Sequence, residues 1–115
     1  MVGKTIFTPS SRDIVWLEFD PQKGRETQKN RPALIISPKE YNAKVGLSLC
    51  IPITSKIKGY PFEVLLQDSK ISGAILCDQI RSLDWRARNA EFILTCDKDV
   101  FAEVLEKIKM LIFNI

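Results

Sequence analysis

An arginine at the boundary between a polar loop and an apolar strand is the first place in this sequence where side chains could act on a ligand. Residues 20–30 hold Pro21, Gly24 and a run of polar or charged side chains, so the stretch reads as a long mobile loop. Ala33-Leu34-Ile35-Ile36 then forms an unbroken apolar run of strand length. Arg31 stands between the two. Pro32 fixes the backbone there and biases Arg31 toward an extended conformation. A guanidinium on a rigid strand edge, beside a loop carrying Glu26, suits a phosphate. A solvated hairpin loop is the competing reading of the same residues.

The chain contains no histidine. That excludes His-based nucleophile triads, histidine-pair ribonuclease chemistry and the usual zinc-hydrolase sites together. Acid–base work falls to Glu, Asp, Arg, Lys, Tyr or a hydroxyl. Cys50, Cys77 and Cys96 are isolated within apolar stretches and lack metal spacing. They read as small buried hydrophobes in a reducing compartment. No metal and no cofactor is expected.

Basic residues cluster. Lys23, Arg25, Lys29 and Arg31 stand against the single carboxylate of Glu26, and Lys39, Lys44, Lys56 and Lys58 against Glu40. Arg81, Arg86 and Arg88 stand against Asp84, while the rest of the chain is acidic. Positive charge gathered in loops on an acidic scaffold is the pattern of a polyanion-binding face. With 115 residues, 45% of them hydrophobic and 27% charged, the chain is expected to fold as one soluble domain over 1–115. No apolar run approaches the ~20 residues that span a bilayer, and residues 1–11 lack a signal core, so the expected location is the cytoplasm.

The elements that must position these residues are short. Residues 14–19 read as a first strand and 33–37 as a second, ended by Pro38. Residues 39–44 suggest a helical turn. Residues 47–54 suggest a third strand, with Leu47, Leu49, Ile51 and Ile53 on one face and Ser48, Cys50, Pro52 and Thr54 on the other. Pro52 cannot donate to a ladder, so that end of the strand is expected at an edge or bulge. Thr54 then points away from the core where pairing stops. Residues 62–66 form a fourth strand, and 73–77 with 80–83 a fifth, bent near Asp78-Gln79. Asp84 is expected to cap one helical turn over 84–89, before a short last strand at 91–95.

Asp97 caps a terminal helix whose apolar residues are Phe101, Val104, Leu105, Ile108, Leu111, Ile112 and Ile115. At about 15 residues it is roughly 22 Å long. Its stripe is expected to cover the sheet, leaving Phe113 and Ile115 for a subunit contact. Short strands closed by one helix suggest a small closed or nearly closed barrel. Trp16 and Trp85 read as core or dimer contacts.

Five blocks of this sequence resemble the MazF/PemK toxins in order and spacing. They are Arg31-Pro32-Ala33-Leu34-Ile35-Ile36-Ser37, Pro52-Ile53-Thr54, Lys58-Gly59-Tyr60-Pro61-Phe62-Glu63-Val64, Asp78-Gln79-Ile80-Arg81-Ser82 and Trp85-Arg86-Ala87-Arg88. The resemblance runs from about residue 13 to the C-terminus, with one small departure, Arg12 where the family usually has glycine. It implies a mainly β, SH3-like (CcdB/PemK-type) barrel with a short helical turn and a C-terminal α-helix, working as a homodimer. It implies a toxin of a type II toxin–antitoxin system that inhibits translation and growth. The implied activity is a sequence-specific, metal-independent endoribonuclease that cuts single-stranded mRNA, leaving 2′,3′-cyclic phosphate and 5′-hydroxyl ends. The implied inhibitor is a MazE-like antitoxin acting through a disordered C-terminal segment.

Motif for motif, the family's catalytic arginine falls on Arg31 and its catalytic threonine on Thr54. A loop glutamate implicated in some members falls on Glu26. The residue types fit. Cyclising RNA requires a deprotonated 2′-hydroxyl, stabilised charge on the phosphorane and a protonated 5′-oxygen. Arg31 offers a planar donor array, Thr54 a hydroxyl donor, and Glu26 the only carboxylate of the loop. Expected RNA contacts are Phe19, Lys23, Arg25 and Lys29 around the loop, and Lys56, Lys58, Asp78, Gln79 and Arg81 beyond it. Phe19 would stack on a base or pack the core, and Gln79 would read a base edge or satisfy the strand bend. Lys56 and Lys58 suit general phosphate attraction. Two other functions share these features: a CcdB-type barrel that poisons a topoisomerase by binding, and a passive single-strand RNA-binding module. Neither needs a paired Arg31 and Thr54.

Overall fold

The computed structural model describes residues 7–18 and 30–114. The loop reading for residues 20–29 lies outside them. The elements run β1 (Asp13–Glu18), β2 (Asn30–Ile35), α1 (Lys39–Val45), β3 (Ser48–Thr54), β4 (Glu63–Gln67), β5 (Ser72–Leu76), β6 (Arg81–Leu83), β7 (Glu91–Thr95) and α2 (Lys98–Phe113).

All pairings are antiparallel, in the order β4-β5-β3-β2-β1-β7, with β6 added on β3. The sheet curls into a half-barrel, mainly β as expected. Both faces of its middle are covered. Ile14, Leu34, Ile51, Ile53 and Ile75 face a core closed by Val104 of α2. Val15, Leu17, Ala33, Ile35 and Cys50 face a second core closed by Leu83 and Trp85. This explains the unbroken apolar run at 33–36: a strand buried on both sides does not alternate.

The alternation expected for β3 holds, with Ile51 and Ile53 packing in one core and Cys50 in the other, but both of its faces are interior. Ser48 and Cys50 are fully buried, whereas Leu49 is 37% exposed. Pro52, expected at an edge or bulge, is not at an edge of the sheet. It pairs in register with Ala33 of β2, and on its other side β3 changes partner, from β6 up to Cys50 to β5 from Ile53 onward. The imino acid sits at that change of partner.

The bent fifth strand is two strands. Gln79 N–H donates to the Leu76 carbonyl at 2.9 Å, and this turn separates β5 from β6, which both pair with β3. Asp84 does cap its segment, its Oδ1 accepting from Ala87 N–H at 2.9 Å, but residues 85–89 form successive turns rather than a helix. Asp97 caps α2 as expected, accepting from Asp99 and Val100 N–H. The stripe of α2 covers the core only through Phe101, Val104 and Ile108. Leu105, Leu111, Ile112 and Phe113 remain exposed. Ile115 lies outside the described residues.

Arg12 stands at φ 80°, a conformation that favours glycine. Its guanidinium donates twice to the Cys96 carbonyl, at 3.1 and 2.8 Å. Those charge-assisted bonds offset the backbone strain of about 1–3 kcal/mol.

Candidate functional site

The catalytic candidates Arg31 and Thr54 come from adjacent strands. The β2–β3 ladder sets Ile35 against Cys50, Leu34 against Ile51 and Ala33 against Pro52. Continued past its last pair, this register runs Arg31 toward Thr54. Both line one open cleft of about 510 Å³, together with Trp16, Pro32, Lys56 and Ser72. Arg31 is exposed and pairs with Leu17 of β1, so its backbone is fixed at the cleft. Trp16 is half-buried, on a wall of this cleft rather than in the core.

Thr54 is the last residue of β3, held by its pairing with Ala74 of β5. Its Oγ1 accepts the backbone N–H of Lys56 at 3.1 Å. An oxygen engaged in this way leaves its own proton available to donate into the cleft.

Thr54 and Lys56 also line a second, smaller cleft of about 240 Å³, with Lys58, Tyr60, Asp78 and Gln79. The two clefts therefore meet at Thr54. The second is organised by contacts absent from the sequence reading. The Glu63 carboxylate accepts the N–H groups of Lys58, at 3.2–3.3 Å, and of Gly59, at 3.0 Å. Gly59 turns the loop at φ 75°, which a residue without Cβ adopts freely. The Tyr60 hydroxyl donates to Asp78 Oδ2 at 2.5 Å, and the ring makes an edge contact with Phe62. Donating to Asp78 raises the Tyr60 phenol above its usual pKa, so the phenol stays protonated at neutral pH.

The expected residues thus divide. Arg31, Thr54, Lys56, Lys58, Asp78 and Gln79 line two adjoining clefts. Arg81 does not line either; it lies on β6 opposite Cys50. Phe19, Lys23, Arg25, Glu26 and Lys29 lie outside the described residues. The sequence reading missed Trp16, Tyr60 and Glu63 as parts of the site. For Tyr60 and Glu63 a signal was present: an aromatic in an otherwise basic loop and a carboxylate at the start of the strand that follows it.

Residues 10–112 match the family described as PemK-like, MazF-like toxin of type II toxin-antitoxin system. The chain is 42% identical over 106 residues to the endoribonuclease toxin MazF of Escherichia coli strain K12, covering 92% of this chain and 96% of that protein. It is 31% identical over 118 residues to the endoribonuclease toxin ChpB of the same strain, covering 97% and 99%. Its fold is similar to that of a chain in a crystal structure of MazE–MazF from Deinococcus radiodurans. The TM-score is 0.88 at 46% identity, over 94% of this chain and 98% of that one.

Proposed function

The chain belongs to the PemK-like, MazF-like toxins of type II toxin–antitoxin systems, and from that premise we propose that it is an endoribonuclease toxin cutting single-stranded mRNA in the cytoplasm. The observation that carries the reading is the convergence of Arg31 and Thr54, distant in sequence, on one open cleft. The RNA's own 2′-hydroxyl attacks the adjacent phosphorus. The 2′-oxygen–phosphorus bond forms and the bond to the 5′-oxygen breaks, giving a 2′,3′-cyclic phosphate and a 5′-hydroxyl. Arg31 places parallel donors on the phosphorane oxygens, and Thr54 adds a hydroxyl donor. Glu26 takes the 2′-hydroxyl proton. The 5′-oxygen acquires a proton as it leaves. No metal is needed in this scheme.

Because the two clefts meet at Thr54, the scissile phosphate is read there, with neighbouring nucleotides on either side. Tyr60, Asp78 and Gln79 face one of them, while Lys56 and Lys58 attract the backbone. Lys23, Arg25 and Lys29 extend the basic face, and Phe19 offers a stacking surface. A MazE-like antitoxin inhibits by laying an acidic, disordered C-terminal segment over this basic surface, displacing residues 22–30. The protein works as a homodimer. The exposed apolar end of α2, Leu111 to Phe113, supports that reading.

A CcdB-type poison would bind a topoisomerase with no need for an arginine and a hydroxyl on one cleft. Unmodified RNA, cut only by the nuclease, decides between the two, and RNA carrying a single 2′-deoxy substitution at the cut site tests the mechanism. Cleavage should be abolished while affinity changes little, because phosphate contacts dominate binding. Excess EDTA should leave cleavage of the unmodified RNA intact. Arg31→Ala should lose about 10²–10³ in rate, and Arg31→Lys should not restore it. Cleavage of the deoxy substrate at an undiminished rate would replace cyclisation with attack by water; no cleavage of any RNA would return the binding-only reading.

A further inference from the structure

Thr54 is gripped from one side. Its ladder partner is Ala74 of β5, whereas the β2–β3 ladder ends earlier, at Pro52, and residues 55–62 beyond Thr54 belong to no strand. The residue next to Ala74 is Gly73, buried and paired with Leu66 of β4 on its other side. A Cβ at position 73 would fall well inside the van der Waals radius of the Thr54 carbonyl oxygen. It would also lie 3.0 Å from the Thr54 carbonyl carbon and 3.4 Å from Ile53 Cγ2. The obstructing atoms are mainly backbone, so a rotamer change cannot relieve the clash.

We propose that Gly73 is a positioning residue for Thr54: its missing side chain lets β5 press against the Thr54 peptide and sets where the hydroxyl stands in the cleft. The proposal rests on the reading of Thr54 as a donor to the scissile phosphate. Relieving the overlap moves the Thr54 peptide outward by roughly 1 Å, a displacement on the scale that costs a reaction about 10²-fold. Among the described residues no ladder pair with β2 holds Thr54 against the movement, because that pairing ends at Pro52. Gly73 is buried and does not itself line the open cleft with Arg31, so RNA binding should be spared.

The test is a cycle of Gly73→Ala, Thr54→Ala and the double variant, assayed on a defined RNA below each protein's unfolding midpoint. Val104→Ala, buried on the inner face of α2 and lining neither cleft, serves as a destabilised control. Gly73→Ala should lower kcat about 100-fold with KM within about twofold, and should shift the Thr54 γ-methyl resonance. Val104→Ala should keep the parent kcat. In the Thr54→Ala background the glycine substitution should cost nothing further. An undiminished kcat for Gly73→Ala, or an equal loss with and without the threonine, overturns the proposal and leaves the role of Thr54 standing. A variant that cannot be recovered folded overturns it too, since the glycine would then serve the whole sheet. Thr54→Ala at the parent rate would instead refute the reading of Thr54 itself, and the proposal with it.

Discussion

Asn42 is fully buried in α1, and its side chain ties three segments together. Its Oδ1 accepts the Ser37 hydroxyl at 2.5 Å. Its Nδ2 donates to the carbonyls of Pro9, at 2.8 Å, and Ser37, at 3.1 Å. Ser37 Oγ in turn accepts Leu49 N–H at 2.9 Å, and the Asn42 carbonyl accepts Trp85 Nε1–H at 3.0 Å. Asn42→Ala removes three buried hydrogen bonds at about 1 kcal/mol each and orphans carbonyls that water cannot reach. The expected loss is about 3–5 kcal/mol, a large share of the roughly 5–15 kcal/mol that holds a domain together. Asn42→Asp keeps the shape but sets a buried charge against two carbonyl oxygens, so it should cost more than alanine. Urea unfolding followed by fluorescence of the buried Trp85 measures both. The cleft is untouched: Leu49 and Thr54 are five strand residues apart, about 17 Å. Activity per folded molecule should therefore stay at the parent value. A loss below about 1 kcal/mol for Asn42→Ala, or an aspartate variant more stable than the alanine one, would refute the reasoning.

Asp13 and the cysteines give two further expectations. Burial pushes the Asp13 carboxyl above its usual 3.8, against the Ser10 N–H and Lys39, which pull it down. A folded-state pKa raised above the unfolded one contributes stability that is full below the unfolded pKa and is lost as pH rises through the folded value. Asp13→Asn, which keeps an oxygen for the Ser10 N–H, should thus unfold at higher urea than the parent at pH 7. The advantage should vanish below pH 3.8; a constant advantage at every pH would show that charge is not the cause. All three cysteines are buried, and burial raises their thiols, Cys77 and Cys96 to about 11. Iodoacetamide at pH 8 should leave the native protein unlabelled and label all three in urea; rapid native labelling of any one would contradict its inert role.

What could be read from the sequence was what a short stretch decides by itself. The Asp97 cap needs only the next three residues, and residues 33–36 are apolar enough to be a strand in any surroundings. The alternation of β3 was legible, but not what covers each side. Alternation tells core from solvent only when one side is wet, and here Ile51 packs in one core while Cys50 packs in the other. The stripe on α2 was legible, but a period of three and four says only that a face is apolar, not what lies over it. Leu105 and Leu111 keep the period yet stay exposed. Trp85 looked like any core aromatic, and its bond to the Asn42 carbonyl joins positions far apart in sequence. The site divides in the same way. Arg31 and Thr54 were identified because the motifs around them resemble a family, but their meeting depends on the register of β2 on β3. The Tyr60–Asp78 bond depends likewise on how β4 pairs with β5, and no local pattern carries that information. Gly73 is the limiting case. As a letter it is one glycine in a strand, which reads as a weakness; only the peptide pressed against it gives it a task.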